Sequence, residues 1–202
     1  MAKGQLITFP KGTSVYPALN RPDTKFDELG QYKADFKLPL EVAQPYIDRL
    51  LATWKSHVGK AAKKTENPMF YFELDDDGEE TGNVVFKVRV KNKIGKNGKL
   101  WDRKPCIIDA QKGDFPVDVA VWGGTVYRVQ AEVYEWMASG KKGVSLQPIM
   151  VQIIDLKTGG SKGDASAFDE EDGFTAPPEA GNRSAFDDDS NEGTSAPDDE
   201  DY

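Results

Sequence analysis

Three features of the sequence predict a mainly β domain. Several segments alternate apolar and polar residues with the period of a strand, one early stretch has helical period, and no repeated exchange of strand for helix occurs. About five strands with one α-helix inserted after the first fit a small Greek-key barrel of the OB type, the OB-fold. Residues 1–158 form this domain in the reading, and residues 159–202 form a disordered acidic C-terminal tail.

Residues 1–29 read as irregular, because Tyr16-Pro17 and Arg21-Pro22 disfavour helix before each proline, amid glycine and other turn formers. The first strand follows at 32–38, where Tyr32, Ala34, Phe36 and Leu38 alternate with Lys33, Asp35 and Lys37 until Pro39 ends it. From 41 to about 64 the period lengthens. Ile47, Leu50, Leu51, Trp54 and Val58 mark one face of a helix that admits Pro45 only in its first turn. Lys55, Lys60, Lys63 and Lys64 gather towards its end, where cations complement the helix dipole; contact with phosphates is the second reading.

After Asn67-Pro68 strands dominate. Residues 69–74 form a short apolar run, and the turn at 75–82 leads to a strand at 84–91. Alternation places Val84, Phe86, Val88 and Val90 on one face and Lys87, Arg89 and Lys91 on the other. A glycine-punctuated basic loop with Lys93, Lys96 and Lys99 precedes a strand at 106–108. Gly123-Gly124 then opens a hairpin of 125–137 and 144–156, joined by a loop at 138–143. On its first strand Tyr127, Val129, Ala131 and Val133 face a core, opposite Arg128, Gln130, Tyr134 and Trp136.

Composition narrows the function. The lone Cys106 permits no intrachain disulfide and reads as a free buried thiol in a reducing compartment. No signal-peptide pattern opens the chain and no apolar run approaches the ~20 residues of a membrane span, so a soluble cytoplasmic protein is expected. A single histidine, His57, reads as a helix-surface or boundary residue, and one histidine cannot form a histidine triad or a histidine metal cluster. No phosphate-cradling glycine loop occurs, and Asp75-Asp76-Asp77-Gly78 reads as a solvated turn rather than a cation site. Neither an enzyme nor a bound cofactor or metal is expected.

Charge is unevenly placed. Residues 159–202 hold 14 Asp and Glu against 2 Lys and Arg, net −12, whereas residues 1–158 hold 20 against 24, net +4. A basic body bearing aromatics beside cations has the inventory for gripping an unpaired nucleic-acid strand, whose bases expose faces for stacking while Lys and Arg follow the phosphates. Tyr134 and Trp136 are the stacking candidates, with Arg128, Lys87, Arg89, Lys91, Lys93, Lys96, Lys99, Lys141 and Lys142 along the backbone. Trp136 has a second reading as a cap on the core; Trp101 and Trp122 read as core or loop anchors. The alternative for the whole chain is an OB-like interaction or structural protein whose tail solubilises it or mimics DNA.

The tail repeats itself. Residues 166–171, Ser-Ala-Phe-Asp-Glu-Glu, recur at 184–189 as Ser-Ala-Phe-Asp-Asp-Asp, and the chain ends Asp198-Asp199-Glu200-Asp201-Tyr202. Phe168, Phe186 and Tyr202 among acids read as short docking motifs, able to compete with DNA for the basic body and to recruit partner proteins.

In order and spacing the body resembles the single-stranded DNA-binding proteins of short-tailed coliphages and their relatives. The residues that carry the likeness are Gly30-Gln31-Tyr32-Lys33-Ala34-Asp35, Asn67-Pro68-Met69-Phe70-Tyr71-Phe72, the basic strand and loop, Gly123-Gly124, Tyr134-Glu135-Trp136 and Val144-Ser145-Leu146-Gln147, followed by the acidic end. The resemblance implies an OB-fold protein that coats single-stranded DNA in phage replication, recombination and repair, and favours annealing. It further implies recruitment of DNA polymerase and helicase-primase through the tail, and a homodimer. By residue it points to Lys3, Arg128 and Tyr134 as DNA contacts. Leu29 stands where relatives carry a basic residue, so the resemblance leaves that contact either lost or moved to Lys33 or Lys25.

Overall fold

The computed structural model describes residues 4–60 and 69–158. Lys3, Lys63 and Lys64 lie outside the described residues, as does the acidic segment with Phe168, Phe186, Asp198, Asp199, Glu200, Asp201 and Tyr202. The described chain is mainly β with a single helix. Its elements run β1 (Gln5–Thr8), β2 (Gly12–Ser14), β3 (Ala18–Asp23), β4 (Gln31–Lys33), β5 (Phe36–Pro39), α1 (Leu40–Val58), β6 (Phe70–Leu74) and β7 (Glu80–Phe86). There follow β8 (Arg89–Lys91), β9 (Lys93–Ile94), β10 (Leu100–Trp101), β11 (Cys106–Ile108), β12 (Val126–Ala138) and β13 (Lys141–Asp155). The main sheet has the order β11-β13-β12-β2-β5-β7-β6, with β1 added to β12; β3-β4-β8 form a second sheet and β9-β10 a ribbon. Among the described residues no helix is long and apolar enough to cross a membrane.

Strand β12 organises the sheet. Antiparallel β13 covers its whole length, while its other edge takes β2 at Val126 and Tyr127 and β1 at Gln130 to Val133. Between the pairs Gln130↔Met150 and Ala131↔Pro148 the register slips, and this bulge accommodates Pro148, which cannot donate to a regular ladder. The expected loop at 138–143 contracts to the two-residue turn Ser139-Gly140, with φ of 49° and 76°. Two positive φ values match the twist of the flanking strands, so Lys141, Lys142 and Gly143 join β13.

Alternation correctly marks the core. Tyr127, Val129, Ala131 and Val133 are buried on β12, as are Val84, Phe86, Val88 and Val90. Phe36, Phe86 and Phe70 oppose one another across β5, β7 and β6, and Phe9 closes on Phe36 and Phe86 with ring centroids 5.0 Å from each. Burying a phenylalanine is worth about 1.5–3 kcal/mol, more than the roughly 1 kcal/mol net of one hydrogen bond. Helix α1 lays Ala43, Ile47, Leu50, Trp54 and Val58 on this core and ends at Gly59, whose N–H donates to the Lys55 carbonyl. It is shorter than the sequence reading, and Pro45 falls beyond the first turn.

Other expectations are corrected. Residues 4–29, expected to be irregular, hold β1, β2 and β3, so five strands precede the helix instead of one. They are three to six residues long and draw their order from partners distant in sequence, β3 tolerating Pro22 at a register shift. Cys106 is exposed, because the pleat of β11 turns Ile107 inward and its neighbour outward. The strands expected at 32–38 and 84–91 each break in two, at Ala34-Asp35 and Lys87-Val88.

Asp35 explains both breaks. Read as the outward residue of a half-buried strand, it is 3 % exposed. Its Oδ1 accepts the Val88 N–H at 2.9 Å, and its Oδ2 accepts Arg89 Nε at 2.8 Å and also Arg89 Nη2. Its main-chain carbonyl accepts the Val15 N–H at 2.8 Å and the buried Tyr127 hydroxyl at 2.6 Å. Burial raises the Asp35 carboxyl above the ordinary carboxylate range against the opposing pull of Arg89.

Arg89→Ala leaves this carboxylate buried and unpaired, and should cost about 3 kcal/mol in denaturant unfolding. A raised folded-state pKa favours folding below the unfolded-state value and loses that contribution as pH climbs through the folded one. The deficit of the variant should therefore shrink at acid pH and grow towards neutrality; a pH-independent deficit would show that Asp35 is not its source.

Candidate nucleic-acid interface

The outward face of β12 meets the β9-β10 ribbon at a cleft of about 780 Å³, lined by Gln5, Thr53, Lys93, Trp101, Arg103, Glu132, Tyr134, Glu135 and Gln147 among others. Strand pleat supplies Glu132 and Tyr134 from β12, and the pair Glu132↔Gln147 brings in β13. Gly95 and Lys99 close the ribbon by a 2.8 Å backbone bond, and the pair Trp101↔Lys93 sets an aromatic beside a cation. Trp101 is 59 % exposed and Tyr134 38 %.

Arg103 sits between them in chemistry as well as position. Its guanidinium lies 5.2 Å from the Trp101 ring centroid and donates through Nη2 to Gln147 Oε1 at 2.5 Å. Burial lowers its pKa, with Tyr134 and Glu132 acting in the opposite sense. The Gly4 N–H donates to Glu132 Oε1 at 3.0 Å, which ties the backbone before β1 to β12. Behind it, His57 bridges α1 to β12. Its Nε2 is 3.1 Å from the Trp136 carbonyl oxygen and its Nδ1 is 3.3 Å from Glu135 Oε2.

The predicted contacts divide into groups. Tyr134 and Lys93 line the cleft, and Lys96 and Lys99 occupy the ribbon turn beside Leu100 and Trp101. Trp136 is absent from the buried core and lies over Gly143 of β13. An added Cβ at Gly143 would stand 2.2 Å from the indole, so only glycine permits that approach. Lys141 and Lys142 are exposed at the hairpin tip, and Arg128 is exposed on β12, about 20 Å before Tyr134.

The remaining cations are engaged elsewhere. Arg89 serves Asp35, Lys33 pairs with Asp23, and Lys91 reaches Asp27 at 2.8 Å. Lys33 holds the Asp23 carboxyl below its ordinary range, and Lys91 does the same to Asp27. Lys87 lies over the Tyr71 ring at 5.2 Å, while Lys25 lies over Phe26 at 5.3 Å. Sequence reasoning missed Arg103 and Gln147 and assigned Trp101 and Trp122 to anchoring; both tryptophans are more than half exposed. The signal available was Trp101 itself, between Lys99 and Arg103 next to a glycine-punctuated turn. The Asp75 turn is held from within, Asp75 Oδ1 accepting the Asp77 and Glu79 N–H groups.

The chain has the fold of the phage single-stranded DNA-binding proteins. Its solved neighbours include gp2.5, a single-stranded DNA-binding protein encoded by bacteriophage T7, at 21 % identity and a TM-score of 0.61 over 86 % of this chain and all of that one. The single-stranded DNA-binding protein of bacteriophage Enc34 matches at 15 % identity and a TM-score of 0.55 over 80 % of this chain and 88 % of that one. The same Enc34 protein in complex with single-stranded DNA matches at 14 % identity and a TM-score of 0.54, over 77 % and 88 %. No protein-family model and no curated protein matches the sequence.

Gly143→Ala should displace the Trp136 ring, read as a shifted indole emission and an altered near-ultraviolet circular dichroism spectrum while far-ultraviolet signal persists. An unchanged indole environment would show that the ring does not rest on Gly143.

Proposed function

We propose that this chain is a single-stranded DNA-binding protein of phage replication, recombination and repair, acting in the host cytoplasm as a binder and not an enzyme. The observation that carries the reading is the cleft in which exposed Trp101 and Tyr134 stand beside Lys93 and Arg103. Its support from outside the chain is a fold shared with phage proteins of that kind, one of them solved with single-stranded DNA. We read the curved sheet around β12 as an OB-type barrel, and residues 1–158 as the binding domain.

Stacking is indifferent to base identity, since every base has a π-face, so coating without strong sequence preference follows. Trp101, Tyr134 and Trp136 act as platforms, and Lys93, Lys96, Lys99, Arg128, Lys141, Lys142 and Lys3 neutralise phosphates. Residues 159–202, at net −12, compete for the same cations and dock on polymerase and helicase-primase when DNA displaces them. A homodimer belongs to the same reading.

Fluorescence anisotropy with labelled oligonucleotides across a salt series tests this. Binding to single strands should exceed binding to duplex, and Trp101→Ala and Tyr134→Ala should each cost about 1–3 kcal/mol with the fold intact. No single-strand binding at low salt would overturn the proposal. Deleting residues 159–202 should tighten binding and abolish polymerase recruitment; unchanged affinity at low salt would remove the self-competition.

A further inference from the structure

Away from the cleft, the body carries a second set of exposed aromatics beside a cation. Tyr16, between β2 and β3, is 87 % exposed. Its φ of 47° is a conformation that costs a bulky L-residue strain. The backbone on either side is pinned: before it the Ser14 N–H donates to the Thr125 carbonyl at 2.8 Å, Ser14 Oγ to the Trp122 carbonyl at 3.0 Å and the Val15 N–H to the Asp35 carbonyl, and after it Ala18 pairs with Lys33 across β3 and β4. The ring is thus held out in solvent by its surroundings. Trp122, 54 % exposed, lies on the segment that abuts Tyr16, a Cβ added at Gly123 standing 4.0 Å from the Tyr16 nitrogen.

Tyr71 of β6 is 41 % exposed and lies beneath the ammonium of Lys87. Strand register joins it to the Tyr16 end of β2: Tyr71 pairs with Val85, Val85 with Lys37 and Lys37 with Thr13, three residues before Tyr16. Lys87 pairs with no carboxylate among the described residues, unlike Lys33, Lys37, Arg89 and Lys91. Val126, at the Trp122 end of β12, is eight residues from Tyr134, about 27 Å along the strand, with exposed Arg128 between them.

We infer that Trp122, Tyr16, Tyr71 and Lys87 form a second contact surface for single-stranded DNA, engaged by a strand that leaves the cleft along Arg128. The inference rests on the function proposed above. Aromatic faces take bases and Lys87 takes a phosphate, the same chemistry as in the cleft, and the spacing means that only a longer strand reaches both. A short strand is satisfied by the cleft alone.

The test uses the full chain with fluorescein-labelled thymidine oligonucleotides of about 6 and about 30 nucleotides, within and well above the roughly 4–16 nucleotides that one OB-fold covers. Tyr16→Gly removes the ring and relieves the strained backbone, so it should raise the melting temperature. It should weaken the long oligonucleotide about tenfold, one stacked base, and leave the short one unchanged. Lys87→Gln should lower the salt slope on the long strand by about 0.7. Wild-type affinity of Tyr16→Gly for the long strand overturns the second surface, and equal weakening on both lengths overturns its separation from the cleft. Failure of the wild-type chain to bind either length overturns the proposed function instead.

Discussion

The arrangement of this protein depends on burying one carboxylate. Asp35 receives the Val88 amide, the Arg89 guanidinium and, through its own carbonyl, the Val15 amide and the Tyr127 hydroxyl. Four segments far apart in sequence are tied at one residue. Isolating a charge from water is costly unless it is paired and hydrogen-bonded, and here every partner is supplied by a chain that must pass this point. The strands at 32–38 and 84–91 break where they do because their polar residues turn inward to serve the knot.

That constraint decides which cations remain for a ligand. The strand at 84–91 looks like a basic face, but Arg89 is consumed by Asp35 and Lys91 by Asp27, while Lys33 on the adjoining strand is consumed by Asp23. Of the described cations that the sequence proposes as contacts, those left without a carboxylate partner lie on the β9-β10 ribbon, on β12, at the hairpin tip and, as Lys87, between β7 and β8. Within the cleft Lys93 and Arg103 are balanced by Glu132 and Glu135, so its floor is nearly neutral and suits bases better than phosphates. Under the proposed function phosphates would follow its rim, from Lys93 to Lys96 and Lys99.

How much was legible in the sequence follows from what each signal measures. Period-2 alternation reports burial, and it identified Tyr127 to Val133 and Val84 to Val90 even where the strands themselves were interrupted. Helical spacing found the buried face of α1. Neither signal reports pairing partners, so β1, β2 and β3, all short and β3 with a proline in it, passed as irregular; their order comes from β12, β5 and β4. Nor does alternation distinguish a polar residue facing water from one facing a buried partner, which is why Asp35 and Arg89 looked like surface. The cleft was half legible: Tyr134 and Lys93 follow from pattern, whereas Arg103 and Gln147 meet only through a hydrogen bond between residues 44 apart in sequence.

The charge balance bears on how affinity would be partitioned. A body with 24 bases and 20 acids has a net charge of only +4, and several of its bases are already neutralised by neighbours. Counterion release scales with the phosphates actually neutralised, so a surface with few free cations gains modestly from that source. Under the proposed function, stacking on Trp101, Tyr134 and Trp136 would then supply a large share, and stacking requires that base faces be open. Duplex DNA presents phosphates as densely as single strands or more so but hides those faces. A weakly basic, aromatic-bearing surface therefore discriminates by the availability of base faces, where a strongly basic one would bind both forms.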